Sequence, residues 1–208
     1  LPAREIELEV VPAGAEGPVV IDEALELEPG VDYSVLAIDV LSEIDELVLV
    51  DDNATDPAVG RVRFVHASPN APFVDVALAD GPVLAGFLSF GQTSDYLGVA
   101  PGTYDLEIRL AGTDTVVLPL PGVTVRPNTV VTAYAAGLVG DEPPLQAVLS
   151  LDAEGCTGDL NADGSVDFAD LVHLLDAFGA SGDGADLDGS GTVDFGDLLS
   201  LLGAFGDC

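Results

Sequence analysis

The sequence predicts a mostly β chain: a β-sandwich of short strands, with part of a second one before it and a small α-helical module after it. Three observations carry this. Residues 60–152 alternate apolar and polar side chains with period two. Residues 1–52 repeat half of that pattern, and residues 156–208 hold a tandem duplication rich in Asp and Gly.

The first block, residues 1–52, is read through its likeness to the later half of the second. REIELEV alternates as YDLEIRL does, with Ile6, Leu8 and Val10 matching Leu106, Ile108 and Leu110. LEPGVDYSVLAI resembles VRPNTVVTAYAA, and DELVLVDD matches LQAVLSLD. Nothing in the block corresponds to residues 61 to about 102. Four strands with one apolar face cannot close a sandwich alone; they expose an oily face and unpaired edges. The expected cover is the middle block, another chain, or a missing segment.

The second block, residues 60–152, offers eight candidate strands, near 61–66, 73–79, 83–90, 94–99, 103–110, 114–125, 129–137 and 145–151. Pro101-Gly102 and Pro121-Gly122 are expected to punctuate them as turns. Short strands at this spacing suggest a sandwich. Its opening, RVRFVHASPNAPFVDVAL at 61–78, resembles the HASP…VDV signature of a bacterial and archaeal extracellular family, domain of unknown function 4397, and PGTYDLEIRLAGTDTVVLPLPGVTV continues the likeness. The resemblance implies a secreted, Ig-like β domain, often in tandem, with no known catalytic activity.

The third block repeats DLNADGSVDFADLVHLLDAFG, 159–179, as DLDGSGTVDFGDLLSLLGAFG, 186–206. Each half opens on a D-x-[DN]-x-[DN]-G type of loop. Calcium takes about six to eight oxygen ligands, which such a loop supplies at positions 1, 3, 5, 7, 9 and 12. In the first loop these are Asp159, Asn161, Asp163, the Ser165 carbonyl, Asp167 through water, and Asp170, with Gly164 at the sharp turn. In the second they are Asp186, Asp188, Ser190, the Thr192 carbonyl, Asp194 and Asp197, with Gly191 at the turn. Ser190 replaces a carboxylate, so the expectation is two calcium ions, the first held more tightly. Val166 follows the first turn, where a β-branched residue pairs the two loops. One helix follows each loop, with stripes Leu171, Leu174, Leu175, Phe178 and Leu198, Leu201, Leu202, Phe205 expected to pack on each other.

This block resembles a dockerin, the duplicated calcium module that binds cohesin domains. Type I dockerins use small hydroxyl residues at loop positions 10 and 11; here those positions are Phe168-Ala169 and Phe195-Gly196. Cys156 and Cys208 bracket the same block, so a disulfide is expected. It would stabilise by about 4 kcal/mol on loop entropy and fits an oxidising, extracellular compartment.

Composition narrows the function. The formal net charge is −32, Lys is absent, and the only cations are Arg4, Arg61, Arg63, Arg109 and Arg126. Nucleic acid and anionic membranes are repelled, and no apolar run is long enough to span a bilayer. The chain contains no Met and begins at Leu1, which suggests processing and a removed export signal. His66 reads as a structural histidine and His173 as a solvent-facing one; no nucleophile or acid–base constellation is present. Asn53-Ala54-Thr55 is a glycosylation sequon.

The resulting expectation is a non-catalytic extracellular structural protein. It assembles head to tail with copies of itself through residues 1–52 into a filament or surface matrix, stiffened by calcium and the disulfide. The alternative is an assembly module that binds a cohesin-like partner.

Overall fold

A computed structural model describes residues 4–13, 18–161, 163–181 and 184–207. The chain is mostly β. Its first block forms strands β1 (Arg4–Val10), β2 (Ile21–Leu27), β3 (Asp32–Ile38) and β4 (Asp45–Asp51). The second forms β5 (Gly60–Ala67), β6 (Val74–Leu78), β7 (Val83–Leu88), β8 (Leu97–Val99), β9 (Gly102–Leu110), β10 (Val116–Val125), β11 (Thr129–Ala136) and β12 (Gln146–Glu154). All eight strands expected between residues 60 and 152 are present.

They make two four-stranded sheets, ordered β10-β9-β6-β7 and β12-β11-β5-β8. Both sheets send alternate residues into one core. Val74, Val76, Leu88, Leu106 and Ile108 come from the first sheet, and Phe64, with Val62, Ala133 and Ala135 packed against it, from the second. Of the β9 residues that alternation assigned to the core, Tyr104, Leu106 and Ile108 belong to it, while Leu110 lies outside it and pairs with Val74 within the sheet. Pro121-Gly122 does not end a strand. It lies inside β10 as an irregularity between Leu120 and Val123, where Gly122 has φ +70° and its N–H donates to Asp105 Oδ1 at 2.8 Å. Glycine tolerates that φ, so the strand bends around the dipeptide and resumes.

The HASP…VDV residues are structural. His66 is buried; its Nε2 meets the Pro72 carbonyl at 3.1 Å, and its Nδ1 accepts from the Ser68 N–H at 3.3 Å. Val74 and Val76 enter the core. Asp75, on the opposite side of the strand, is buried, and its carboxylate accepts the N–H groups of Phe87 and Gly112, each at 2.7 Å. Both donors have left-handed backbones, at φ +55° and +71°, so one carboxylate fixes an irregular residue near the end of β7 and the turn after β9.

The first block forms two separate hairpins. β1 pairs with β2 and β3 with β4, both antiparallel. Among the described residues neither hairpin pairs with any other strand. Their order reproduces the β9–β10 and β11–β12 pairs. The turn before β3 has Gly30 at φ +76° where the turn before β11 has Asn128 at φ +57°. One match shifts by a residue. Tyr33 pairs with Val50 as Val131 pairs with Leu151, so Val50 corresponds to Leu151 and Asp51 to Asp152.

The β3–β4 hairpin rests on the outer face of the β12-β11-β5-β8 sheet. Arg63 of β5 joins them. Its Nη1 donates to the Val50 carbonyl at 3.0 Å, its Nη2 to Asp51 Oδ1 at 2.6 Å, and Nε and Nη2 both reach Thr132 Oγ1. The Arg63 and Asp51 side chains are 3% and 7% exposed. Tyr96 stacks beneath both Arg63 and Arg61, with its centroid 4.6 and 5.1 Å from the guanidinium carbons. Arg61 holds Asp52 at 2.6 Å, and that hydrogen bond lowers the Asp52 pKa from its ordinary value.

Removing one partner of a buried pair strands the other charge, at a cost of about 3–5 kcal/mol. The substitution Arg63→Leu is therefore expected to lower unfolding stability by about 3 kcal/mol or more in urea titration. Amide exchange in β3 and β4 should accelerate beyond that in β9. Equal acceleration in both would mean that Arg63 serves only its own domain.

Candidate metal centre

The third block is built around two nine-residue helices, α1 (Phe168–Asp176) and α2 (Phe195–Gly203). Helices this short are marginal alone, and each is fixed at its start by a carboxylate pair. Asp167 caps α1 by accepting from the Ala169 N–H at 2.7 Å, while Asp170 accepts from the Asp167 N–H at 2.8 Å. Asp194 and Asp197 do the same for α2, at 2.6 and 2.7 Å. Both are complete capping boxes with Asp in the place usual for Glu. The carboxylates at loop position 9 are thus turned to the helix backbone.

The position-12 carboxylates organise each loop. Asp170 also accepts from Leu160 and Asn161 N–H at 2.8 and 3.2 Å, and Asp197 from Leu187 and Asp188 N–H at 2.6 and 3.0 Å. Both side chains are fully buried. For Asp197, burial pushes the pKa up, but the donors from Asp194, Asp188 and Leu187 outweigh it and hold the group below its ordinary value. The carboxylate stays ionised where a dication would need it.

Position 1 is equivalent in the two loops. Asp159 Oδ2 accepts from Gly164 N–H at 2.9 Å, and Asp186 Oδ2 from Gly191 N–H at 2.8 Å. The two glycines stand at φ +89° and +92° with open space around them, so the conformation itself requires glycine. Asp163 Oδ1 accepts from Ser165 N–H at 3.0 Å, and Asn161 Nδ2 donates to Asp163 Oδ2 at 2.9 Å. In the second loop the Ser190 hydroxyl donates to the Thr192 carbonyl at 3.1 Å.

Carboxylate oxygens of Asp186, Asp188 and Asp197 lie within 4.8 Å of one another. Among the described residues this is the one acidic trio so placed; the first loop carries Asn161 where the second has Asp188, and Asp159, Asp163 and Asp170 do not form an equivalent trio. These all-oxygen donors on a sharply turned loop fit a hard cation of the calcium type. Gly196 leaves room for the Asp188 carboxylate, which a Cβ there would strike.

The loops do not pair with each other through Val166. Strand β13 (Ser165–Val166) pairs with β14 (Gly206–Asp207), the segment after α2. In the second loop, Val193 exchanges backbone hydrogen bonds with Gly179 and Ala180, the segment after α1, at 2.8 and 2.9 Å. Each loop is therefore closed by the tail of the other half's helix. Val166, Val193, Leu174 and Leu201 meet in a common core, with Leu171 and Leu198 packed against it. Only half of each expected apolar stripe is used. Leu175, Phe178, Leu202 and Phe205 remain exposed, the two phenylalanines lying beyond the helix ends.

Cys156 packs against this core. No described cysteine is free, while Cys208 lies outside the described residues. His173 is solvent-facing as expected. The Asn53 side chain of the sequon is half-buried, and its Nδ2 donates to Asp32 Oδ2 at 2.9 Å. Sequence reasoning missed the Arg63 cluster and the Asp75 clamp. The available signal was two of five arginines on one strand, alternating with Val62 and Phe64.

The two sheets and the duplicated acidic loops define a β-rich protein with an appended helical module. The sequence matches the family described as Domain of unknown function (DUF4397) over residues 1–77 and 60–159, and the chain belongs to that family. Both matched stretches contain β5. Among solved structures, the C-terminal domain of AlgF from P. aeruginosa is similar at 20% identity. The match covers 45% of this chain and 98% of that one with a TM-score of 0.35, too low to carry an argument. No curated protein matches the chain.

The two loops can be tested separately. Asp170→Asn and Asp197→Asn should each abolish one calcium-binding event in titration calorimetry and leave the other. Helix content of either variant without calcium should fall by no more than part of one helix. Loss of both events from one substitution would show that the loops are a single cooperative site.

Proposed function

We propose that the chain is a non-catalytic structural subunit of an extracellular filament or surface matrix, in which residues 1–52 form the joint to the next subunit. The observation that supports this most is the state of the first block. Two hairpins carry the strand pattern of an Ig-like sandwich yet each has an unpaired edge, and Ile6, Val35, Val48 and Val50 stand exposed. Unpaired edges of that kind pair with further chains. A contact that joins the front of one subunit to another part of the next is heterologous and propagates.

Calcium in the dockerin-like loops and a Cys156–Cys208 disulfide are the proposed stiffeners, since both act on the same short module. The −32 charge keeps laterally adjacent subunits apart, which favours end-to-end contact over bundling. Electron microscopy of the purified chain with calcium should show linear assemblies that shorten in chelator. Val35→Asp should give monomers with the second block intact. Monodisperse monomers of the unaltered chain at every calcium concentration would reject the reading.

A second reading has its own observation. Phe168, Val172, Leu175 and Phe178 are exposed along α1, and the duplication places Phe195, Leu199, Leu202 and Phe205 at the matching positions along α2. Paired apolar stripes rimmed by acid mark a docking surface, here for a cohesin-like partner. On this reading Phe168→Ser with Phe195→Ser abolishes capture by a cohesin panel without changing calcium affinity. Failure of the unaltered chain to bind any cohesin would leave the structural role alone.

A further inference from the structure

The open edges of the first block are specified by the chain's own second block. β9 has β10 on one side and β6 on the other, antiparallel, with Leu106 opposite Leu78 and Ile108 opposite Val76. β11 has β12 on one side and β5 on the other, parallel, with Thr132 opposite Arg63. β1 and β3 have the first of these neighbours and lack the second. The consequence shows in burial: Leu106 is 8% exposed, and its counterpart Ile6 is 42% exposed.

Charge makes the same point independently. In the second block Thr132 donates to Asp152 and accepts from Arg63. In the first block Ser34 donates to Asp51 at 2.7 Å in the equivalent place. Among the described residues no arginine of the first block bonds to Asp51; it draws instead on Arg63 of the second block. Asp51 and Asp152, 7% and 4% exposed, therefore share one guanidinium, with Arg63 2.6 Å from the first and 4.0 Å from the second. A buried carboxylate needs a cation or a set of hydrogen-bond donors; Asp152 takes the Thr132 and Tyr96 hydroxyls, and Asp51 the Ser34 hydroxyl and Arg63, so two aspartates are served by one cation. A strand lying parallel to β3, with an arginine at the Arg63 position, would place a second cation against Ser34 and Asp51.

We infer that the first block is an acceptor for a second HASP-type half-domain: a segment of the same kind as residues 60–101, with one strand antiparallel to β1 and an arginine-bearing strand parallel to β3. This deepens the proposed joint, on which it rests, by naming the kind of segment that fills it. Residues 60–101 of this chain are already closed on β9–β12. If a neighbouring copy lent its own, it would open an equal acceptor in itself.

The test places a copy of residues 60–101 directly ahead of Leu1, the order that β8 and β9 follow in the second block. Amide exchange is then read in β1 and β3 against β9 and β11, and sedimentation is run in parallel. Protection in β1 and β3 should rise at least tenfold in the fusion. The same fusion with Arg63→Ala in the added copy should lose that gain chiefly around Ser34 and Asp51, and one with the added residues scrambled should show none. Unchanged exchange in the intact fusion, or an equal gain from the scrambled one, overturns the inference. The assembly reading is scored apart. A protected fusion that no longer assembles, when the unaltered chain does, supports both. A protected fusion of a chain that never assembled supports the complement and removes the filament. A fusion that assembles unchanged, with no protection gained, removes the complement and keeps the filament.

Discussion

The position of Arg63 is the constraint around which the two β blocks are arranged. β5 must present Val62 and Phe64 to the core, and period two then forces Arg61 and Arg63 to the other face. A guanidinium on a sheet face is tolerable when its donors are met in a fixed plane. Thr132, Val50 and Asp51 meet them, and the Tyr96 ring covers the remaining face of the cation. The hairpin that supplies Val50 and Asp51 is thereby drawn onto the sheet, and Leu49 is buried beside it. An ion pair of this kind adds little net stability over an apolar contact. What it adds is register, because a one-residue slip of β4 would turn Asp51 away and expose Leu49.

The helical module satisfies its backbone by exchange. Two homologous loop–helix units close reciprocally, each loop taking its β partner from the segment behind the other's helix. The carboxylates that would face a cation are also the ones that cap the helices or bind the loop N–H groups. A bound cation and helix stability would therefore draw on the same side chains, and loss of one carboxylate would be felt in both. This resolves how a calcium-type loop can lack its usual preceding helix: the duplicated partner supplies what that helix would have packed against.

Much of this was legible from residue order. Strand positions in the second block followed from alternation, since burial of one face leaves a clear period. The half-repeat followed because a β9-like strand keeps its pattern even without a neighbour to pack against. What was not legible depended on distance in sequence. Arg63 and Thr132 are 69 residues apart, as are the two ends of the Asn70–Val139 bonds, and no local pattern announces such partners. The one-residue shift of β4 arose because LVLV is apolar at successive positions and fits either register. Pro121-Gly122 misled for a related reason: the dipeptide signals a turn in isolation, but a strand edge can absorb it as a bulge. The exposed second halves of the helical stripes escaped because periodicity assigns a face to a helix but not the length over which that face finds a partner.

The chain contains two duplications that end differently, and the difference follows from symmetry. In the third block two equal units exchange tails, and each need is met by the other, so the module closes at two. In the β blocks the duplicated part is only the acceptor: two sets of hairpins stand against a single HASP half. Exchange between copies moves that half from one acceptor to another without changing the shortfall. The imbalance sits in the ratio of segments, and the buried carboxylates around Arg63 register the same ratio as charge: two equivalent aspartates, one arginine.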